Sequence, residues 1–248
     1  DAAALKTKAA ITNEGYSLNG SKSFISGGGF SDLYVVLCRT GDQTPNGISM
    51  VLVENGQNGL SFGKKEQKMG WKAQPTAIVQ FDNCSIPASN LVGEEGAGFK
   101  YAMEGLDGGR LNIAAASLGG AQKSYEIAKA YSKERSAFGK PISKFQSIEF
   151  KLADMATQLE SARLFLRNAA WKLDNSKPDA SVSVAMAKRL VTDVAFEVSN
   201  TALQILGGYG YLEEYGIEKI VRDLRVHQIL EGTNEIMRVI IARAILSE

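Results

Sequence analysis

Histidine is nearly missing from this sequence: among 248 residues there is one, His227. A catalytic triad or a His-based metal site would have to use it. No nucleophile-elbow pattern accompanies it. A di-iron bundle needs two Glu-x-x-His pairs, and none occurs. His227 is read as a hydrogen-bonded structural residue, and no metal site is expected. Cysteine is almost as scarce. Cys38 and Cys84 do not make a disulfide framework and read as small buried hydrophobes in a reducing compartment. Net charge is nearly absent too: 28 Lys and Arg against 27 Asp and Glu leave +1. That balance gives no reason to expect a nucleic-acid or membrane-surface partner. No apolar run reaches the roughly 18 residues of a membrane span. What is present is an ordinary globular balance, 44% hydrophobic and 22% charged, with enough chain for one large domain or two smaller ones.

The chain begins Asp1-Ala2-Ala3-Ala4-Leu5-Lys6, with no Met and no signal or transit pattern. A processed N-terminus or the later part of a longer protein is expected. From Ala9 to about Asn90 the pattern is β. Short runs, Leu33–Cys38, Ile48–Val53 and Ala77–Phe81, alternate with four Asn-Gly pairs at 19–20, 46–47, 55–56 and 58–59. Asn-Gly suits turns that need φ > 0, so these pairs predict turns in a compact sandwich or barrel. After about Gly93 only Pro141 and Pro178 remain, each near a helix boundary. Leu152, Met155, Leu159, Ala162, Leu166 and Ala169 follow helical three- and four-residue steps, and 185–206 and 236–246 behave alike. Asp179 or Ser181 is a candidate cap for the third helix, Thr233 or Asn234 for the last. The expected fold is multidomain α+β: a partial antiparallel β domain over residues 1–92, then an up-and-down four-helix bundle over 93–248.

Three segments carry candidate chemistry. Glu231-Gly232-Thr233-Asn234-Glu235 places an acid in a Gly-containing break after the largely apolar 226–230. Such an acid is either a general base against an apolar wall or a first-turn acid favoured by a helix dipole. Arg135-Ser136-Ala137-Phe138-Gly139-Lys140, with Gln146 beyond, is either a phosphate grip or a solvated helix end. Gly207-Gly208-Tyr209-Gly210 follows a helix and reads first as its stop, although it carries Gln204 and Tyr209 beside bare backbone. Neither this cluster nor Gly27-Gly28-Gly29 is the G-x-G-x-x-G of a dinucleotide-binding turn.

Taken in order, these segments resemble the acyl-CoA dehydrogenase family. Gly20-Ser21-Lys22-Ser23-Phe24-Ile25-Ser26 is similar to the family's strand against the flavin. Residues 133–140 resemble its E-R-x-x-F-G-K loop, and 204–210 its Q-I-L-G-G-x-G motif, with Arg222-Asp223 after it. Glu231-Gly232-Thr233 resembles the E-G-T motif that carries the base. The resemblance covers the later part of the family's β domain and the whole C-terminal bundle. It lacks the helical N-terminal domain and the T-E-P-x-x-G-S stretch, so part of a longer protein is expected.

The resemblance implies FAD as cofactor and a homo-oligomer, a tetramer as in the family. Phe24, Ile25 and Ser26 would flank the isoalloxazine. Arg135, Phe138 and Gln146, with Gln204, Gly207 and Gly208, would hold the adenine-dinucleotide part across a subunit interface. Thr233 and Glu235 would close over the cofactor. Asp107, Arg110, Leu230 and Gly232 would contact the acyl-CoA substrate, and Glu231 would be the catalytic base. Isovaleryl and long-chain members carry their base in an L-x-x-E-R motif. Here the stretch is Leu106-Asp107-Gly108-Gly109-Arg110, with Gly109 in that place. The G-G-R ending and Leu230 before the base are most like the isobutyryl-CoA branch of the family. That implies oxidation of isobutyryl-CoA to methacrylyl-CoA in valine breakdown, with electron-transfer flavoprotein as partner. The location would be the mitochondrial matrix in a eukaryote or the cytoplasm in a bacterium. The alternatives are a short straight-chain or 2-methylbutyryl-CoA dehydrogenase, an acyl-CoA oxidase, and a flavin-free assembly subunit.

Overall fold

The computed structural model describes residues 2–247. The chain divides into two compact units, residues 1–105 and 106–248, and each is described by itself.

The first unit is built on a six-stranded sheet. Its strands are β1 (Lys8–Thr12), β2 (Gly15–Ser26), β3 (Leu33–Arg39), β4 (Ile48–Glu54), β5 (Leu60–Phe62) and β6 (Thr76–Pro87), in the order β4-β3-β1-β2-β6-β5. All neighbours are antiparallel except β1 and β3, which meet in parallel at Lys8 and Arg39. Alternation selects the buried face: Tyr34, Val36 and Cys38 from β3 pack with Val51 and Val53 from β4.

The Asn-Gly pairs do not all make turns. Pairs 55–56 and 58–59 lie between β4 and β5, with Gly56 and Gly59 left-handed. Asn46-Gly47 belongs to a 3-10 turn before β4. Asn19-Gly20 instead lies inside the twelve-residue β2, at a bulge. Between Leu18↔Cys84 and Gly20↔Phe81, β6 carries one residue more than β2. The Asn19 side chain accepts from the Asn83 backbone N–H at 2.9 Å, and Asn83 takes a left-handed φ of 47°. This slip lets β6 bury Ala77, Val79 and Phe81 before it and Cys84 and Ile86 after it. The tight β1–β2 hairpin turns instead at Asn13-Glu14, a pair with no such turn signature.

The second unit packs long helices. Helix α1 is Gly98–Glu134, so the division between units falls within it. Then come α2 (Gln146–Asp174), α3 (Ala180–Leu206), α4 (Ile217–Arg225) and α5 (Asn234–Leu246). Met155, Leu159, Ala162, Leu166 and Ala169 bury the face of α2 that its periodicity marks, and Leu152 packs at its edge. They meet Ala114, Leu118, Ala121 and Ala128 of α1 and Ala187, Val191, Ala195, Val198 and Ala202 of α3. Alanines on two facing helices allow close approach of the axes. Asp179 occupies the N-cap position of α3 but makes no capping bond; its carboxylate pairs with Lys172 instead. Thr233 caps α5, accepting from the Ile236 N–H.

Both cysteines are buried and free. Burial pushes the Cys38 thiol up to about 11 and raises Cys84 as well, the condition of inert thiols.

Candidate active site

The acid of the Gly-broken segment stands on an unusual backbone. Glu231 has φ 56°, a left-handed conformation that costs a non-glycine residue on the order of 1–2 kcal/mol. Gly232 follows at φ 86°, where a Cβ would lie 2.9 Å from Met237. Two consecutive left-handed residues turn the chain sharply between Leu230 and the cap of α5. They aim the Glu231 carboxylate at α1. A Cβ built on Gly109 would meet Glu231 Oε2 at 2.7 Å. The missing side chain at 109 is thus the room that the carboxylate occupies.

Next to Gly109 on α1, Arg110 donates to Asp107, one turn before it, at 2.8 Å, with both side chains nearly buried. Ser181 on α3 donates to the other Asp107 oxygen. Arg110 Nε is buried and has no hydrogen-bond partner among the described residues. Leu230 and Gly232 are half-buried beside Glu231, whereas Glu235 is exposed and pairs with Arg238 at 3.4 Å.

Sequence reasoning missed what supports this turn. Lys188 on α3 is fully buried and donates to Gly232 O at 2.8 Å and Asn234 Oδ1 at 2.9 Å. Asn234 donates to Thr192 at 3.0 Å and Asp193 at 2.8 Å, and Gln228 donates to Asp193 at 2.7 Å. The available signal was a lysine on the apolar face of α3, in step with Val184 and Val191.

His227 lies on the same side of the unit and is buried, its Nδ1 2.6 Å from Ser117 Oγ. Ser117 Oγ also bonds Ile113 O at 2.7 Å, so its hydroxyl is shared between helix backbone and ring. His227 is buried and hydrogen-bonded, as a structural histidine would be. Burial first, with Lys188 adding to it and Asp223 opposing, depresses its pKa to about 4. The folded state refuses a proton that the unfolded chain binds below about 6.5. This contribution is fully present above pH 6.5 and is lost as pH falls through 4. The shift corresponds to at most about 3 kcal/mol. His227→Gln should flatten the fall in thermal midpoint between pH 6.5 and 4; an unchanged pH dependence would refute this assignment.

A second region of the bundle gathers the other motifs. α1 ends at Glu134, and a two-residue hairpin joins Ser136-Ala137 to Lys140-Pro141. At its tip Phe138 and Gly139 have φ 51° and 83°, and Phe138 is 95% exposed. Gly207 ends α3 at φ 60°. A cleft of about 490 Å³ lies between these segments, lined by Tyr131, Arg135, Gly207, Gly208 and Tyr209 among others. The Arg135 guanidinium stands 5.5 Å over the Tyr209 ring, and Tyr209 in turn packs against Tyr131 and Tyr215. No atom lies within 4 Å of a Cβ built on Gly207 or Gly208. Gln204 is exposed one turn before this helix end and Gln146 is exposed at the start of α2; neither lines the cleft.

In the β unit, Phe24-Ile25-Ser26 ends β2 beside a second bulge, between Lys22↔Val79 and Ile25↔Ala77. Phe24 takes φ 58° there and is 80% exposed, while Ile25 is half-buried. Tyr34 braces the glycine turn that follows, donating to Gly27 O at 3.1 Å and accepting from Gly29 N at 3.0 Å.

Comparison with known proteins covers both units. Residues 1–84 match the family model for the acyl-CoA dehydrogenase middle domain, and residues 96–246 that for the C-terminal domain. The mitochondrial isobutyryl-CoA dehydrogenase of Bos taurus is 53% identical over 248 residues, all of this chain and 60% of its own length. Butyryl-CoA dehydrogenase from Megasphaera elsdenii matches with TM-score 0.95 at 46% identity, over 99% of this chain and 64% of that one. A chain from structural work on the electron transferring flavoprotein of Acidaminococcus fermentans and flavin-based electron bifurcation matches with TM-score 0.97 at 47% identity. It covers all of this chain and 65% of that one. The chain thus spans about 60% of the length of the curated relatives it matches first. With both family models matched in order over nearly its whole length, the chain belongs to the acyl-CoA dehydrogenase family.

Proposed function

We propose that the protein of which this chain is a part oxidises a short branched acyl-CoA thioester, isobutyryl-CoA to methacrylyl-CoA, with Glu231 as the base. The observation that carries this reading is the Glu231 carboxylate, held on a left-handed turn in the space left open by Gly109. Glu231 takes the α-proton. The Glu231 backbone N–H, in the role the family gives it, hydrogen-bonds the thioester carbonyl and lowers the cost of the developing enolate. Gly232 allows the substrate to approach the backbone. The buried Asp107–Arg110 pair stiffens the wall that faces this turn, and Arg110 and Asp107 are assigned to substrate contact.

The residues present fit FAD. The exposed Arg135, the Tyr209 ring and the bare backbone of Gly207 and Gly208 suit an anionic, ring-bearing ligand, and Phe138 offers a second exposed aromatic face. Gln146 and Gln204 add amide donors and acceptors nearby in sequence. Phe24, Ile25 and Ser26 are assigned to the isoalloxazine, and Thr233 and Glu235 to closure over the cofactor. Bound FAD supplies acceptance of the β-hydride. Cofactor binding across a subunit interface implies a homo-oligomer, for which a tetramer is proposed. Electron-transfer flavoprotein is proposed as the electron acceptor, and the flavoprotein work to which one matching chain belongs supports this. The mitochondrial bovine relative supports a matrix location for a eukaryotic source, and bacterial relatives a cytoplasmic one for a bacterial source.

The Megasphaera butyryl-CoA dehydrogenase favours a second reading, a straight-chain substrate. Leu230 discriminates the two. Leu230→Tyr narrows the space beside the acyl chain, and overpacking of about 1–3 kcal/mol corresponds to roughly a 5- to 150-fold loss. Turnover of isobutyryl-CoA by the full-length protein should fall by more than turnover of butyryl-CoA. Equal losses, or faster wild-type turnover of butyryl-CoA, would favour the straight-chain reading.

A further inference from the structure

The Glu231–Gly232 turn is strained, short and half-exposed, yet a base must be held to a fraction of an ångström. Its own backbone does not supply that rigidity. Support comes from α3. Lys188 binds the carbonyl of the residue after the base and the side chain of Asn234, three residues beyond the base. Asp193, one turn along α3, accepts from Asn234 after the base and from Gln228 before it. Both flanks of the strained turn are therefore bonded to one helix.

Lys188 is an expensive choice for this place. Its neighbours Val184, Ala187 and Val191 are fully buried, as Lys188 is. An ammonium taken out of water costs several kcal/mol unless its partners compensate, so packing alone would favour Leu or Met. Burial holds the Lys188 ammonium down at about 8, with Arg110 adding to that and Asp193, Glu231 and Glu235 opposing it. Its two donated bonds, to Gly232 O and Asn234 Oδ1, are the compensation that the buried amine receives.

We infer that Lys188 is a positioning residue for proton abstraction: through Gly232 O and Asn234 it locks the left-handed turn and so aims the Glu231 carboxylate. The inference rests on Glu231 being the base, as proposed above. It explains why a charged residue occupies a core position of α3 facing this turn.

The test uses Lys188→Met in the full-length flavoprotein, which keeps length and apolar volume but removes the donors. Two quantities are read. Amide hydrogen exchange across residues 229–236 should accelerate at least about tenfold, with the β unit unchanged. At saturating isobutyryl-CoA, the rate of anaerobic flavin bleaching should fall by about 10- to 100-fold, with KM and flavin content held near wild type. Loss of fold would instead lower flavin content and raise KM. Wild-type exchange across 229–236, or a bleaching rate within twofold of wild type, overturns the inference. If Lys188→Met does not accumulate folded, Asn234→Ala removes the other half of the clamp and is judged by the same two criteria. Glu231→Gln, run beside it, separates the two claims. If Glu231→Gln is inactive while Lys188→Met has wild-type exchange and rate, only the positioning role fails. If Glu231→Gln turns over normally, the base assignment fails and with it the catalytic half of the inference, and exchange decides the clamp alone.

Discussion

Glu231→Gln in the full-length protein is expected to slow anaerobic flavin bleaching by isobutyryl-CoA by about 10²- to 10⁴-fold, or more when no other group takes the proton. Gln keeps the size and hydrogen-bonding capacity of the side chain but cannot accept a proton. Folding should survive, because the turn is held from α3 through Lys188, Asn234 and Asp193 rather than through the carboxylate. Flavin content should survive because the cleft at Arg135 and Gly207 is built from other segments. Position 109, which faces the Glu231 carboxylate from α1, carries no side chain that could replace it. A variant that bleaches within a few-fold of the wild-type rate would show that the base lies elsewhere. The geometry also indicates a rescue. A Glu at position 109 in the Glu231→Gly background starts from a backbone site whose Cβ direction points at the vacated carboxylate position, so some activity should return.

Arg110→Met should produce the largest loss of stability. Asp107 and Arg110 form a nearly buried pair at 2.8 Å, and among the described residues only Ser181 also donates to the carboxylate. Removing the guanidinium leaves Asp107 buried with that single donor. Breaking a buried pair in this way costs about 3–5 kcal/mol. In thermal unfolding of the full-length protein this is a fall of roughly 5–15 °C in midpoint. Adding Asp107→Asn should recover a good part of the loss, because the uncompensated charge is then gone. A single variant within about 1 kcal/mol of wild type, or a double variant no better than the single, would mean the pair is solvated and contributes little.

Much of the architecture was legible along the chain because both periodicities are strong. The three- and four-residue steps of α2 name the residues that the bundle buries, and alternation in β3 and β4 names the buried face of the sheet. The E-G-T, E-R-x-x-F-G-K and Q-I-L-G-G segments are local in sequence, so each was visible without a fold. Local chemistry misled where one dipeptide serves two geometries. Asn19-Gly20 reads as a hairpin turn, yet a left-handed Asn83 on the neighbouring strand makes it half of a bulge. The true hairpin at Asn13-Glu14 has no such signature, because strand pairing rather than turn preference closes it.

The sequence by itself determined the family and the two kinds of secondary structure, and through the resemblance it singled out Glu231 as the acid proposed to be the base. Only the tertiary structure decided what makes that acid usable. Gly109 and Glu231 are far apart in sequence, and only the packing of α1 against the turn shows that one vacates the space the other fills. Lys188 looks like any surface lysine until α3 is packed, because burial is a property of the neighbours and not of the residue. A hydrogen bond between α3 and a carbonyl 44 residues away leaves no local signal, so the inferred positioning of the carboxylate by Lys188 could be read only from the fold.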